Sequence, residues 1–141
     1  MPKVLIATDG SDHAARALSY LIEQVGLCRT DTEVHVLNVQ PRLPSRIGET
    51  MPEQDLSDYY AGHSATACSA AVEALQQAGV TFTLHTRVGA PGMHIVAVAN
   101  ELQCQSIIIG SHGAGLALGA LLGSVASEVI KLTSLPVTLV K

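Results

Sequence analysis

The sequence predicts an α/β fold, a doubly wound five-stranded parallel sheet with helices on both faces. Three observations carry this expectation. Short apolar runs alternate along the chain with stretches of helical periodicity, in the order β-α-β-α-β-α-β-α-β. Hydrophobic residues make up 48% of the chain and charged residues only 14%, which describes a protein with a substantial core. One of the five runs alternates strictly between apolar and polar residues, which marks a strand with one wet face and hence a sheet edge. At 141 residues the chain fits one domain over 1–141, with no repeat, linker or low-complexity segment.

Each element follows from local signals. Lys3–Thr8 is an apolar, β-branched run that stops at Asp9-Gly10, so it reads as a buried strand and a turn. Ser11 or Asp12 caps the next helix, whose apolar stripe is Leu18, Leu21, Ile22 and Val25 and which Gly26 closes. Val34–Val39 is the second strand. Residues 40–53 hold Pro41, Pro44, Gly48 and Pro52 among polar neighbours and read as a loop. A long helix over Gln54–Ala78 carries a stripe of Ala65, Cys68, Ala71, Val72 and Leu75, and Gly79 suits the left-handed position after it. Val80–Val88 is the alternating strand. Pro91 opens a helix that reaches Leu102, Ser106–Gly110 is a buried strand, Ser124–Thr133 is the last helix, and Leu135–Lys141 is the last strand.

With the alternating third strand at an edge and right-handed crossovers, the simplest strand order is 3-2-1-4-5. The order reverses between strands 1 and 4, and ligands of such sheets bind outside the carboxyl ends of the strands at that reversal. Strand 1 ends at Thr8-Asp9-Gly10 and strand 4 at Ile109-Gly110, so both should meet at a crevice.

Composition narrows the function. The aliphatic core has no Trp, one Phe and three Tyr, and the net charge of −4 gives no broad footprint for nucleic acid. The N-terminal apolar run turns polar at Asp9, too soon for a signal peptide, and no run approaches the roughly 20 apolar residues of a membrane span. Cys28, Cys68 and Cys104 are widely spaced, which suits buried thiols in a reduced, cytoplasmic setting.

The segment IIIGSHGAGLALGALLGSV, residues 107–125, carries five glycines. Amides in a turn and the N-terminus of a helix both bind phosphate, and glycine permits close approach. Gly110-x-x-Gly113 leaves a strand, nine residues follow, and Gly123-Ser124 opens a helix. The opposing explanation is a small-residue packing segment where helix meets sheet. The segment matches neither GxxxxGK[ST] nor GxGxxG.

ATDGS after strand 1, GSHG after strand 4, LLGSVASEVI at the last helix and LPVTLVK at the C-terminus resemble the universal stress protein family. The resemblance covers essentially the whole chain. Its most specific element is the G-x-x-G-x9-G-[ST] pattern of the ATP-binding subclass, met by Gly110, Gly113, Gly123 and Ser124. It implies a Rossmann-like fold of the adenine nucleotide alpha hydrolase type. It also implies that ATP is held with Mg2+ or Mn2+, in a nucleotide-responsive stress regulatory or protective module. By the same resemblance Ala7, Thr8 and Asp9 would line the ribose and adenine side, and the Val39 backbone would meet the adenine. Ile109, Gly110, Gly113, Gly123, Ser124 and Val125 would cradle the ribose and phosphates. The family's last strands pair between subunits, which implies a homodimer through Pro136–Val140, with no nucleic acid or membrane partner. Two rival readings are a partner-binding regulator with no nucleotide and a weak ATP hydrolase.

The other reactive residues point elsewhere. Asp9 lacks the D-x-D spacing and the partners of phosphotransfer aspartates. His112 could touch a phosphate, though a solvated turn residue is the plainer reading. His13, His35, His63, His85 and His94 show no metal-ligand spacing and read as structural or surface residues. Ser111 and Ser124 lack G-x-S-x-G context, and no general base is evident, so the site is better built to hold ATP than to split it.

Overall fold

The computed structural model describes residues 1–28, 31–113 and 121–141, with the side chains of 27 and 28 left out. Five strands form one parallel sheet: β1 (Lys3–Ala7), β2 (Glu33–Gln40), β3 (Phe82–Val88), β4 (Ser106–Gly110) and β5 (Val137–Val140). Their order is β3-β2-β1-β4-β5, the doubly wound arrangement expected from the sequence. Among the described residues the helices are α1 (Asp12–Cys28), α2 (Ser45–Gly48), α3 (Glu53–Gln77), α4 (Pro91–Glu101) and α5 (Ser124–Leu132).

Period-2 alternation sends neighbouring strand residues to opposite faces of the sheet. Val4, Ile6, Val34, Val36 and Ile108 face α1 and α3, where they meet Ala17, Leu18, Leu21, Ala71 and Leu75. Leu5, Leu37, Ile107 and Ile109 face the other way, onto Ile95, Val98 and Ala99 of α4 and Val129 of α5. The three central strands therefore bury apolar side chains on both faces. Successive crossovers place α1 and α3 on one face and α4 and α5 on the other, so the order in which strands are added across the sheet reverses between β1 and β4.

Four local expectations are corrected. Helix α1 continues through Gly26 to Cys28, a tolerable cost of about 1 kcal/mol for one glycine in a helix. The 40–53 loop contains the single helical turn α2, which starts after Pro44. Ala65 of α3 is exposed, and the buried stripe is Ser64, Cys68, Ala71 and Leu75. A buried serine hides the stripe from a reading by apolar residues, and its hydroxyl is satisfied by Asn38. On β3 the apolar side is not uniformly covered, since Leu84 is 42% exposed at the sheet edge.

Candidate functional site

The carboxyl ends of β1, β2 and β4 and the N-termini of α4 and α5 enclose a cavity of about 400 Å³. That volume falls within the roughly 300–1,000 Å³ of small-molecule sites. All eleven candidate residues read from the sequence line it, from Ala7, Thr8 and Asp9 on one side to Gly123, Ser124 and Val125 on the other. Their convergence follows from the strand order, which brings the segments after β1 and β4 side by side.

The β1 side is shaped by a succession of short hydrogen bonds. Thr8 Oγ1 accepts from the Gly10 N–H at 3.3 Å, and Asp9 Oδ1 accepts from the Ser11 N–H at 2.9 Å. Ser11 Oγ then accepts from the Ala14 N–H at 3.3 Å and caps α1. Gly10 takes a φ of +81°, and an added Cβ would meet the Ala67 backbone of α3 at 3.2 Å. A side chain there would be both strained and crowded, so glycine is required.

On the β4 side the glycines have reasons inside the protein. None of Gly110, Gly113 and Gly123 has a left-handed φ. A Cβ on Gly110 would lie 2.8 Å from the His13 carbonyl carbon, where α1 crosses β4. On Gly113 it would lie 2.8 Å from Asp9 Oδ2, and on Gly123 it would lie 3.0 Å from His112 Cα. Bare backbone thus lets three chain segments cross at the mouth of the cavity. Gly115 and Gly119 fall outside the described residues.

Helix α5 opens at this crossing. The Gly123 N–H donates to the Ser111 carbonyl at 2.7 Å, which ties the helix start to the end of β4. Gly123 is the N-cap and brings no side-chain bond. The first-turn N–H groups of a helix have no intrahelical acceptor, so those of Ser124, Val125 and Ala126 point outward beside the cavity with the positive end of the helix dipole. His112 lies within the turn; its Nδ1 is 3.0 Å from Ser111 Oγ, and its ring centre is 5.1 Å from that of His13. It lines the cavity rather than pointing away into solvent.

The far wall comes from β2. In a parallel ladder, successive residues bond alternately to the two neighbouring strands. The Thr8 N–H donates to the Leu37 carbonyl at 2.9 Å, and the Gly89 N–H to the Gln40 carbonyl at 2.9 Å. These two bonds set the phase, so Val39 turns its N–H and C=O toward β1. The strand pairing of β1 with β2 ends at Ala7 opposite Leu37. Val39 therefore presents a donor and an acceptor side by side to the cavity, one step past the ladder.

Asn38, Gln40, Pro41, Pro91 and Ile95 also line the cavity, and sequence reasoning did not single them out as site residues. A signal for Asn38 and Gln40 was available: two amides stand at the carboxyl end of a central strand, where such sheets place their ligands. Among the described lining residues Asp9 is the one carrying a formal charge, and neither Lys nor Arg is present. No group of three or more His, Cys, Asp or Glu side chains among the described residues is arranged to hold a metal.

Outside the cavity, the strand histidines are coupled. Glu33 Oε1 lies 2.7 Å from His35 Nε2, and His35 Nδ1 lies 2.9 Å from His85 Nε2. Burial, helped by the charges of His35 and Arg87, holds His85 below the ordinary histidine pKa. Cys68 and Cys104 are free and buried, and burial raises both thiol pKa values. The Cys28 side chain is outside the described part. No described helix is long and apolar enough to cross a membrane.

Comparison with known proteins bears on this geometry. The family model described as universal stress protein family matches residues 1–141. Among solved structures, hypothetical protein MJ0577 is 30% identical over 99% of this chain and 95% of its own, with a TM-score of 0.86. A universal stress protein from Archaeoglobus fulgidus, solved in complex with dAMP, is 26% identical over 100% of this chain and 98% of its own, with a TM-score of 0.69. The universal stress protein UspA from Lactobacillus plantarum shares the fold at a TM-score of 0.81 and 18% identity, over 99% and 97% of the two chains. No curated protein matches the chain.

Proposed function

The chain belongs to the universal stress protein family, and from that premise we propose that it binds ATP in the crevice between β1, β2 and β4. It then acts as a nucleotide-responsive stress regulatory or protective module. The observation that carries this reading is the pairing of two unfilled backbone devices at opposite sides of one cavity. Val39 offers a donor and an acceptor at the end of β2, which suits the N1 and N6 positions of adenine. The uncapped first turn of α5 offers N–H groups and a positive dipole, which suit phosphate. The 26%-identical relative solved with dAMP supports the same class of ligand.

Electrostatics supports binding through amides and a cation. No Lys or Arg is among the described lining residues. The phosphate charge would therefore be met by the N–H groups of Gly113, Ser124 and Val125, together with Mg2+ or Mn2+. The donor set fits a cation that rides on the phosphate oxygens, because Asp9 is the carboxylate at the cavity and its Oδ1 is already held by Ser11. We further propose a cytoplasmic homodimer, with 1–141 as one domain and β5 pairing to β5 of a second copy. That edge carries Val137 and Leu139, half-buried against the core, and unpaired edges favour strand addition.

The direct test is to denature the purified protein and analyse the supernatant by mass spectrometry for ATP, ADP or AMP, followed by calorimetry with Mg-ATP. Co-purified adenine nucleotide or saturable heat is the expected result. Neither nucleotide nor heat at millimolar Mg-ATP would refute the reading.

A further inference from the structure

The nucleotide reading above is the premise here, and on it we infer that Asn38 is a positioning residue that sets base selectivity by keeping the Val39 edge available. The next rung of the β1–β2 ladder would run from the Val39 N–H to the Thr8 carbonyl. The Asn38 side chain takes that carbonyl instead, with Nδ2 donating to the Thr8 oxygen at 2.8 Å. A side-chain amide thus takes the acceptor of the next rung, and the main-chain ladder stops at the Thr8–Leu37 bond.

The arrangement is fixed from three elements. Asn38 is 1% exposed, so its polar atoms must be satisfied within the protein. Its Oδ1 accepts from Ser64 Oγ of α3 at 3.0 Å and from Gln40 Nε2 at 3.0 Å. The Thr8 carbonyl can only accept, which assigns the amide nitrogen to that side. Every buried side-chain nitrogen and oxygen among the described residues has a partner, this network included. A packing role alone would call for an aliphatic residue, like Val34 and Val36 on the same face. An amide at this place does something those residues do not, since it competes for a main-chain acceptor.

The consequence is chemical selectivity. A 6-aminopurine presents an acceptor at N1 beside a donor at N6, the complement of the Val39 N–H and C=O. A 6-oxopurine presents a donor at N1 and an acceptor at O6, so both contacts would be mismatched. A site built to pair polar groups rejects the analogue that leaves them unpaired. Restoring the Val39–Thr8 rung would remove the donor and with it most of the discrimination.

The test compares ATP with ITP by calorimetry in wild type, Asn38→Ala and Ser64→Ala, alongside amide hydrogen exchange of the ligand-free protein. Wild type should prefer ATP by about tenfold or more. In Asn38→Ala the preference should shrink to within about threefold, with ITP affinity little changed. Ser64→Ala leaves the Asn38–Thr8 bond in place and should keep the preference even as it lowers the melting temperature. A preference unchanged in Asn38→Ala overturns the assignment. Where Asn38→Ala does not fold, Asn38→Asp keeps the shape, removes the donor and is read the same way. If wild type binds neither nucleotide, the proposed function fails, while hydrogen exchange still decides the role of Asn38. The Val39 amide should exchange much faster than that of Leu37, and equal protection would overturn the inference without any ligand.

Discussion

The glycines at 110 and 113 occupy one signature but should fail in different ways when each is given a single methyl group. In Gly110→Ala the new Cβ would sit 2.8 Å from the His13 carbonyl carbon and 3.0 Å from its oxygen, against about 3.4 Å for ordinary contact. Those atoms are backbone at the start of α1, so the helix must back away from β4 by about half an ångström, which costs roughly 1–3 kcal/mol. For a chain of 141 residues, each kcal/mol lowers Tm by about 3–5 °C, so a fall of roughly 3–15 °C is expected. In Gly113→Ala the obstacle is Asp9 Oδ2 at 2.8 Å, the end of a side chain that can swing aside. Swinging loses the exposed Asp9–Ser11 bond, worth about 0.5 kcal/mol, so Tm should fall by less than in Gly110→Ala, where backbone must move. Moving that carboxylate across the cavity should weaken Mg-ATP binding by about three- to tenfold, each tenfold corresponding to about 1.4 kcal/mol. Thermal denaturation and calorimetry on the two variants test this directly. Equal melting temperatures, or binding lost in Gly110→Ala and intact in Gly113→Ala under conditions where both are folded, would refute the reasoning.

Two other perturbations follow from the same geometry. Because His85 is held below the ordinary histidine pKa of about 6.5, the unfolded chain gains a proton first as pH falls through that value. Wild-type stability should therefore decline from about pH 6.5 downward and level off once the folded protein also protonates. The decline is below about 1.4 kcal/mol per pH unit, the slope for one proton, and His85→Gln should flatten it. Identical pH profiles of Tm for the two proteins would count against the histidine pair. At the other edge, Ile107 N–H bonds the Pro136 carbonyl and Ser111 N–H bonds the Val140 carbonyl, so Val137 and Leu139 turn their N–H groups outward. Val137→Pro deletes one outward donor and spares the inward bonds. Light scattering should show a dimer of the 14.7 kDa chain in wild type and a monomer in the variant, and a dimeric variant would exclude this edge as the seam.

The sheet was legible because its signals are redundant. Ile107, Ile108 and Ile109 form a run too apolar for any surface position, and the alternation over 80–88 marked an edge that the structure places beside β2. The convergence of Thr8-Asp9 with Gly110 followed from strand order alone. What stayed hidden depends on side chains that act out of type. Ser64 takes the buried place expected of Ala65, because its hydroxyl is answered by Asn38, a partner 26 residues away that no local pattern reveals. The His35–His85 bond joins residues 50 apart, on strands whose register no local pattern supplies.

The glycine signature itself acquires a different meaning. Had Gly110, Gly113 and Gly123 been required only by a phosphate, a Cβ at each would project into open cavity. Each instead meets His13, Asp9 or His112 first. The pattern therefore specifies a crossing of α1, the turn after β1 and the turn after β4, and the cavity is what that crossing leaves. On the reading proposed above, the phosphate contacts come from the uncapped first turn of α5, which Gly123 and Ser124 of the signature open, whereas the base contacts come from the Val39 donor and acceptor, which lie outside it. The Val39 side can therefore be altered, through Asn38, without touching the glycines that hold the cavity mouth together.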